Sequence, residues 1–424
     1  MEIAVIGSGY VGSVTGALLA SSGNKVTLCD ISEEKINAIK SGKSPIYEPG
    51  LEEHIRAGLK SGNLSATTDI PAALANAAVI FVCVGTPPKA DGSTDLSYIL
   101  SAAREIGKTL PKREDCPLIV IKSTVPPGTT KLVSEEIEQS SNTKEGLNFG
   151  TAMNPEFLKE GTAVADFEHP DRLVFGVNSK RGQEILQEVY KKFECPIVVC
   201  DPKTAEMIKY ASNSMLAVRI SFTNEIANSC KHLGIDTFKV MEGMGLDSRI
   251  GNKFLNPGIG FGGSCFPKDV SSLAHTVKES SVDPLMLEAA LKINLLQPGK
   301  LVSIAEKKLG NLKRKISVLG LAFKPDTDDV RESPAVKIVQ LLVERGAEVM
   351  VYDPEARDTA QEVLGKSVKY ANGLSEALNF SDAVFILTDW EEFKDPKLYE
   401  GKIVFEGRKL FKDDHLNNFE GVCW

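Results

Sequence analysis

The stretch "GIGFGGSCFPKD", residues 258–269, sets four glycines around Cys265 and follows it with Lys268 and Asp269. Glycine is used where the backbone takes a positive φ or something comes close. Such a loop leaves sulfur uncovered, with amide N–H groups pointing into the same space, and both conditions favour a nucleophilic thiolate over the inert buried thiol that is cysteine's usual role. Lys209 and Asn213 stand four residues apart in a helical pattern and so share one face, an ammonium beside an amide. Taken alone, that pair reads better as an ordinary exposed one. A third group, "GSGYVG", supplies Gly7, Gly9 and Gly12 between a β-branched run and an apolar-periodic segment. The first glycine makes the tight turn, the second lets a pyrophosphate near the backbone, and the third lets helix and strand pack. Asp30 follows 18 residues after Gly12, at the end of the next apolar run. A carboxylate there accepts from both ribose hydroxyls and repels a 2′-phosphate, which favours NAD over NADP.

These groups need elements to hold them. Residues 2–30 read as strand, glycine turn, helix and strand, a βαβ unit, and residues 315–354 repeat that plan without the glycine motif. "AVIFVCVGTP" and "LIVIKSTVP" continue the first sheet, "AVFILTDW" and "KIVFEGR" the second. Each end is therefore expected to be a parallel α/β sheet. Between them, "KTAEMIKYASNSMLAVRISFTNEIANSCKHLG" has three-and-four apolar spacing and ends in Gly234, which predicts a long helix with a glycine cap. The expected architecture is α/β: two doubly wound, Rossmann-like parallel-sheet domains joined by a long-helix central domain. The divisions fall at 1–200 for dinucleotide binding, 201–300 for the helical and dimerisation domain, and 301–424 for the second sheet, whose strand-end Lys324 and Arg331 suit a phosphate.

Composition narrows the function. With 424 residues, 42% hydrophobic and 25% charged, the chain has the make-up of a folded multidomain protein. A formal charge of −8 without a basic block argues against nucleic-acid and anionic-membrane partners. The chain passes from Met-Glu straight into "IAVIG" and has no apolar run of membrane-spanning length, so neither a signal peptide nor a span is expected. Eight cysteines without CxxC spacing and five scattered histidines predict no disulfide framework and no metal site, in keeping with a cytoplasmic setting.

Over nearly its whole length the sequence resembles the nucleotide-sugar 6-dehydrogenases, the UDP-glucose/GDP-mannose dehydrogenase family. The resemblance runs through "GSGYVG", "CVGTP" (83–87), "STVPPGT" (123–129), "NPEFLKEG" (154–161), "KYASN" (209–213), "DSRIGNKFLNPGIGFGGSCFPKD" (247–269) and "GLAFKPDTDDVRESP" (320–334). It implies a four-electron oxidation of a UDP-sugar at C6 with two NAD⁺ and one water, through a thiohemiacetal and then a thioester on Cys265. It further implies that Lys209 and Asn213 stabilise the C6 oxyanions, that Asp269 positions a water or Lys209, and that Thr124 and Glu156 orient the hydrolytic water. Cofactor contacts implied beside the glycine motif are Tyr10, Val11, Asp30, Lys35, Thr86, Thr124, Glu160, Lys268 and Arg331. Substrate contacts implied are Glu156, Phe157, Leu158, Lys159 and Glu160; Lys209 and Asn213; Phe254, Leu255, Asn256, Pro257 and Gly258; and Gly262, Lys324 and Arg408. Arg249, sixteen residues before Cys265, matches an arginine that in relatives reaches a neighbouring subunit's sugar, which implies a homodimer or a larger homo-oligomer.

Met153 stands where a small polar residue is commoner, and Pro298–Gly299 where relatives usually continue a helix, a departure that bears on the helix end and the domain hinge and not on the chemistry. "DSRIGNKFL" sides with the UDP-glucose branch over the GDP-mannose branch, which shares the cysteine loop. UDP-N-acetylhexosamine enzymes fit less well because their loops resemble "GGHC". A two-electron β-hydroxyacid dehydrogenase would not need Cys265, and an idle nucleotide-sugar-binding module would not need every reactive group.

Overall fold

The structure, a computed structural model, describes residues 1–110, 116–411 and 418–424. It divides into two compact units, Met1–Ser212 and Asn213–Trp424.

The first unit is built on an eight-stranded sheet of β1 (Glu2–Ile6), β2 (Lys25–Cys29), β3 (Leu64–Thr67), β4 (Val79–Val82), β5 (Leu118–Ile121), β6 (Gly150–Met153), β7 (Leu173–Val177) and β8 (Ile197–Cys200), in the order β3-β2-β1-β4-β5-β6-β7-β8. Its central strands β1, β4 and β5 are nearly continuous apolar runs because both faces are covered there. Ile3, Val5 and Phe81 enter one core, while Ala4, Ile6, Ile80 and Val82 enter the other. The expectation of a purely parallel sheet needs one correction, since β6 and β7 pair antiparallel, Ala152 opposite Val177 and Met153 opposite Gly176. A parallel neighbour requires a crossover over a sheet face. Residues 154–172 make none, and so begin and end at the carboxyl edge of β6, the edge where ligands of doubly wound sheets bind.

The helix Pro202–Leu233 has 32 residues and closes at Gly234, whose φ is +67°. At 1.5 Å per residue it is about 48 Å long, and the division between the units falls within it, after Ser212.

The second unit adds helices Thr237–Gly245, Phe266–Glu279 and Leu285–Leu309 and a six-stranded sheet. The last of these helices runs on through Pro298 and Gly299 to Leu309, so that pair does not end the helix. One turn before Pro298, the side-chain amide of Asn294 accepts from the backbone N–H of Phe261 and donates to its C=O. The sheet comprises β9 (Lys315–Leu319), β10 (Glu348–Tyr352), β11 (Lys369–Tyr370), β12 (Ala383–Ile386), β13 (Ile403–Glu406) and β14 (Phe419–Gly421), ordered β11-β10-β9-β12-β13-β14 and parallel throughout. That order repeats the first six strands of the other sheet. Gly320, at φ +90°, takes the place of Gly7, at φ +94°. Asp353, just past β10, takes the place of Asp30, and its Oδ2 accepts from the N–H groups of Leu321 and Ala322 and the indole of Trp390.

Candidate active site

The first unit forms a dinucleotide turn. A Cβ on Gly7 would lie 2.8 Å from the carbonyl oxygen of Cys83, and one on Gly12 only 1.7 Å from that of Gly7, so both positions require glycine. A Cβ on Gly9 would meet nothing within 4 Å, which leaves open space at the N-terminus of the helix Tyr10–Ser21. Gly9 caps that helix without a side chain, and the N–H groups of its first turn can serve an anion. Asp30 accepts from Ser8 N–H at 2.6 Å, Ser8 Oγ at 2.9 Å and Ser32 N–H at 2.9 Å. Burial pushes its carboxyl up, but the hydrogen bonds from Ser32 and Ser8 and the charge of Lys35 more than offset this, so it stays below the ordinary carboxylate range and ionised. The turn, the open N-terminus and the charged Asp30 fit NAD. Val11 is half-buried in the first turn of the helix.

At the carboxyl edge of the same sheet, Thr86 follows β4 and donates to the carbonyl of Thr124 at 3.0 Å, beyond β5. Glu156 follows β6 and pairs with Lys209 of the long helix at 2.7 Å, the two side chains only 5% and 3% exposed. Burial pushes the Glu156 carboxyl up, yet the charge and hydrogen bond of Lys209, the N–H of Leu158 and the charge of Lys122 hold it below its ordinary range. Lys209 Nζ lies 5.4 Å from the ring centre of Phe157, and the Arg172 guanidinium 3.7 Å from the same centre. Lys159 turns to Asp166, and Glu160 is half-buried beside it.

The sequence reading missed two residues here. Buried Glu48 accepts from Gly161 N–H at 2.6 Å, from Ala163 N–H at 2.7 Å and from the hydroxyl of Tyr10, so it ties the dinucleotide turn to the 156–163 loop. Nothing in "YEPG" points to partners more than a hundred residues away. Lys122, at the end of β5, was legible as a lysine closing an all-apolar strand, and it is 3% exposed.

In the second unit Cys265 occupies the N-cap position of the helix Phe266–Glu279, where the helix dipole favours a thiolate. It is half-buried, its Sγ 3.5 Å from Ser264 Oγ. Asp269, one turn on and 1% exposed, accepts from Asn213 Nδ2 at 2.6 Å and from Lys268 Nζ at 2.5 Å. The loop glycines make room for this chain's own groups. A Cβ would lie 2.4 Å from the Glu332 carbonyl at Gly262, 2.6 Å from Asn294 Oδ1 at Gly260, and 2.7 Å from Arg408 Nη1 at Gly258. Gly263, at φ +80°, donates to the carbonyl of Arg331 at 2.8 Å, so the cysteine loop rests on the 320–334 loop.

Arg408 donates to Gly260 O at 2.8 Å, and Lys324 is half-buried beside Phe323. Leu255 and Pro257 are buried, Asn256 is exposed, and Phe254 holds a φ of +62°. Arg331 pairs with Asp329. Arg249 pairs with Asp247, its side chain 88% exposed. The predicted residues are thus gathered as Glu156 with Lys209 in one unit, and as Cys265, Lys268, Asp269 and Asn213 in the other. Among the described residues no group of three His, Cys, Asp or Glu could hold a metal ion, and no helix is long and apolar enough to cross a membrane.

Comparison with known proteins identifies the family. Three models of one family match in order: its NAD binding domain over residues 1–194, its central domain over 203–295 and its UDP binding domain over 317–413. A UDP-glucose 6-dehydrogenase of Bacillus subtilis is 44% identical across 98% of this chain and 90% of its own length. One from Haloferax volcanii is 40% identical across 97% of both. The structure of a UDP-glucose dehydrogenase from the archaeon Pyrobaculum islandicum superposes with a TM-score of 0.95 at 42% identity, over 100% of this chain and 97% of the other. With the dinucleotide turn inside the first matched domain and Cys265 inside the second, the chain is an NAD-dependent oxidoreductase and belongs to the UDP-glucose/GDP-mannose dehydrogenase family.

Proposed function

We propose that this protein oxidises UDP-glucose at C6 to UDP-glucuronate in the reducing cytoplasm. The observation that carries the reading is Cys265 at a helix N-terminus, with Asp269, Asn213 and Lys268 hydrogen-bonded one turn behind it. Full-length identity to UDP-glucose 6-dehydrogenases selects the sugar. NAD⁺, when bound, accepts one hydride in each of the two oxidations. In the first, the hydroxyl proton leaves to a water positioned by Asp269 while the ammonium of Lys209 stabilises the C6 oxygen, the Asn213 amide assisting, as the alcohol becomes an aldehyde. Cys265 sulfur then adds to the aldehyde carbon, and the carbonyl oxygen becomes the hydroxyl of a thiohemiacetal. The second oxidation leaves a thioester. Thr124 and Glu156 orient a water that adds to the thioester carbon; the C–S bond breaks, and sulfur departs as thiolate beside Asp269 and Lys268.

We assign residues 1–200 to the cofactor, 201–300 to the helical connection and 301–424 to the UDP moiety. Gly7, Gly9, Val11, Asp30, Lys35, Thr86, Glu160 and Arg331 serve NAD, and the loops 156–160 and 254–258 with Gly262, Lys324 and Arg408 serve the sugar nucleotide. We further assign a homodimer in which Arg249 reaches the partner's sugar. Exposed Met215 and Phe222 on the long helix, and Leu285, Met286, Leu295 and Leu296 on the helix Leu285–Leu309, support an apolar interface.

The test is purified protein with NAD⁺ and a panel of UDP- and GDP-sugars. UDP-glucose is expected to give two NADH per sugar, whereas turnover of GDP-mannose alone overturns the sugar assignment. In Cys265→Ala, turnover to the acid should fall at least a thousandfold, about 4 kcal/mol, with residual NADH near one per sugar. Two NADH per sugar at the wild-type rate in that variant refutes the covalent route.

A further inference from the structure

Lys122 is buried among neutral partners. Its Nζ donates to Asn154 Oδ1 at 3.0 Å, to Asn154 O at 3.4 Å and to the Tyr190 hydroxyl at 3.3 Å. Asn154 is fully buried, bonded through its N–H to Ile121 O at 2.9 Å and through Nδ2 to Val174 O at 3.0 Å. A methionine would fill this place without the cost of desolvating an ammonium. That cost is visible, because burial pushes Lys122 down to about 8. The titratable groups facing it are Cys83 at the end of β4, Tyr190 after the helix Lys180–Val189, Lys209 on the long helix and Glu156 beyond β6. Burial raises the Cys83 thiol and the Tyr190 phenol, so both are neutral at physiological pH, and Glu156 is the anion this ammonium acts on.

Glu156 already holds Lys209 at 2.7 Å. If Lys209 is to serve the C6 oxygen, the charge of its ammonium is shared between that oxygen and Glu156, and a buried carboxylate with no other cation near it would resist that sharing. We propose that Lys122 is a positioning residue of the oxidation: it fixes the ends of β5 and β6 together and supplies the second positive charge that keeps Glu156 ionised while Lys209 engages the substrate. The inference rests on the roles given to Glu156 and Lys209 in the proposed function.

The test compares wild type, Lys122→Met and Lys122→Arg, using NAD⁺ and UDP-glucose across the pH range. In Lys122→Met, kcat should fall about tenfold, the equivalent of one pH unit of charge interaction, with the Kd for NAD⁺ unchanged and the sugar KM little moved. The acid limb of its kcat profile should rise by about one pH unit, because Glu156 has lost a neighbouring cation. Lys122→Arg should keep the limb of the wild type. An acid limb unmoved in Lys122→Met, or moved equally in both variants, overturns the inference. Should Lys122→Met fail to fold, Lys122→Gln, which keeps a donor for Asn154 and Tyr190 but carries no charge, is read on the same acid limb, and an unmoved limb there overturns the inference. A wild type that releases fewer than two NADH per sugar defeats the functional reading and this inference with it. Two NADH per sugar with an unmoved limb defeats the role of Lys122 alone.

Discussion

Replacing Glu156 with Gln keeps the shape of the side chain and removes one charge from a buried pair. At 2.7 Å and an effective dielectric of about 20, the lost attraction is roughly 6 kcal/mol. Water would recover part of that in the unfolded chain, so breaking such a pair costs about 3–5 kcal/mol. The full range is expected at pH 7 because two ammoniums, Lys209 and Lys122, are left facing a neutral amide. Glu156 has a folded pKa below its unfolded value. Its stabilisation is therefore present above the ordinary carboxylate range and is lost as the pH falls through the folded value, where wild type and variant converge. The difference should also shrink on the alkaline side, from about pH 8 upward, as Lys122 sheds its proton. The assay is urea unfolding followed by far-ultraviolet circular dichroism at several pH values. Both tryptophans, Trp390 and Trp424, lie in the second unit, so fluorescence serves as an internal reference for that unit. A loss below about 1 kcal/mol at pH 7, or one that does not vary between pH 7 and 10, refutes the electrostatic account of this pair.

Asp30→Ala should weaken NAD⁺ binding by about 1–3 kcal/mol, since the ribose hydroxyls lose a charged acceptor; titration calorimetry giving wild-type affinity removes Asp30 from the cofactor site. Arg249→Ala should raise the KM for UDP-glucose while leaving the melting temperature within a degree or two, and diluting the wild type below its dimerisation constant should reproduce the effect. A fully active monomer by sedimentation refutes the cross-subunit role.

The sequence spoke clearly wherever one residue type has one local consequence. Gly7, Gly12 and Gly234 forecast their turns because positive φ or a close approach admits little else, and the apolar period forecast the long helix. Around Cys265 the glycines announced that something comes close but not what. It is the backbone of Glu332, the side chain of Asn294 and the guanidinium of Arg408, all distant in sequence. The reversed sense of β7 was hidden because "LVFGV" reads the same in either direction, and the connection alone sets it. Glu48 was invisible for the same reason as the Glu332 contact: its partners are fixed by the fold. Pro298 left the end of its helix open in the sequence, because an interior proline removes a helix hydrogen bond, and the helix nevertheless runs on to Leu309.

The two sheets share an order, a glycine turn and an aspartate, yet the aspartates have opposite mutational meanings. In the first sheet Asp30 leans on Ser8 and Ser32 and keeps its charge at the mouth of the open turn. In the second, the Oδ2 of Asp353 is taken up by Leu321, Ala322 and Trp390, and the Oδ1 by the N–H groups of Glu355 and Ala356. Asp353 works as a mortise joint in the wall where Asp30 works as a latch on the door. The same architectural position can thus be spent on holding the house up or on choosing its visitor, and counting lone pairs tells which before any ligand is seen.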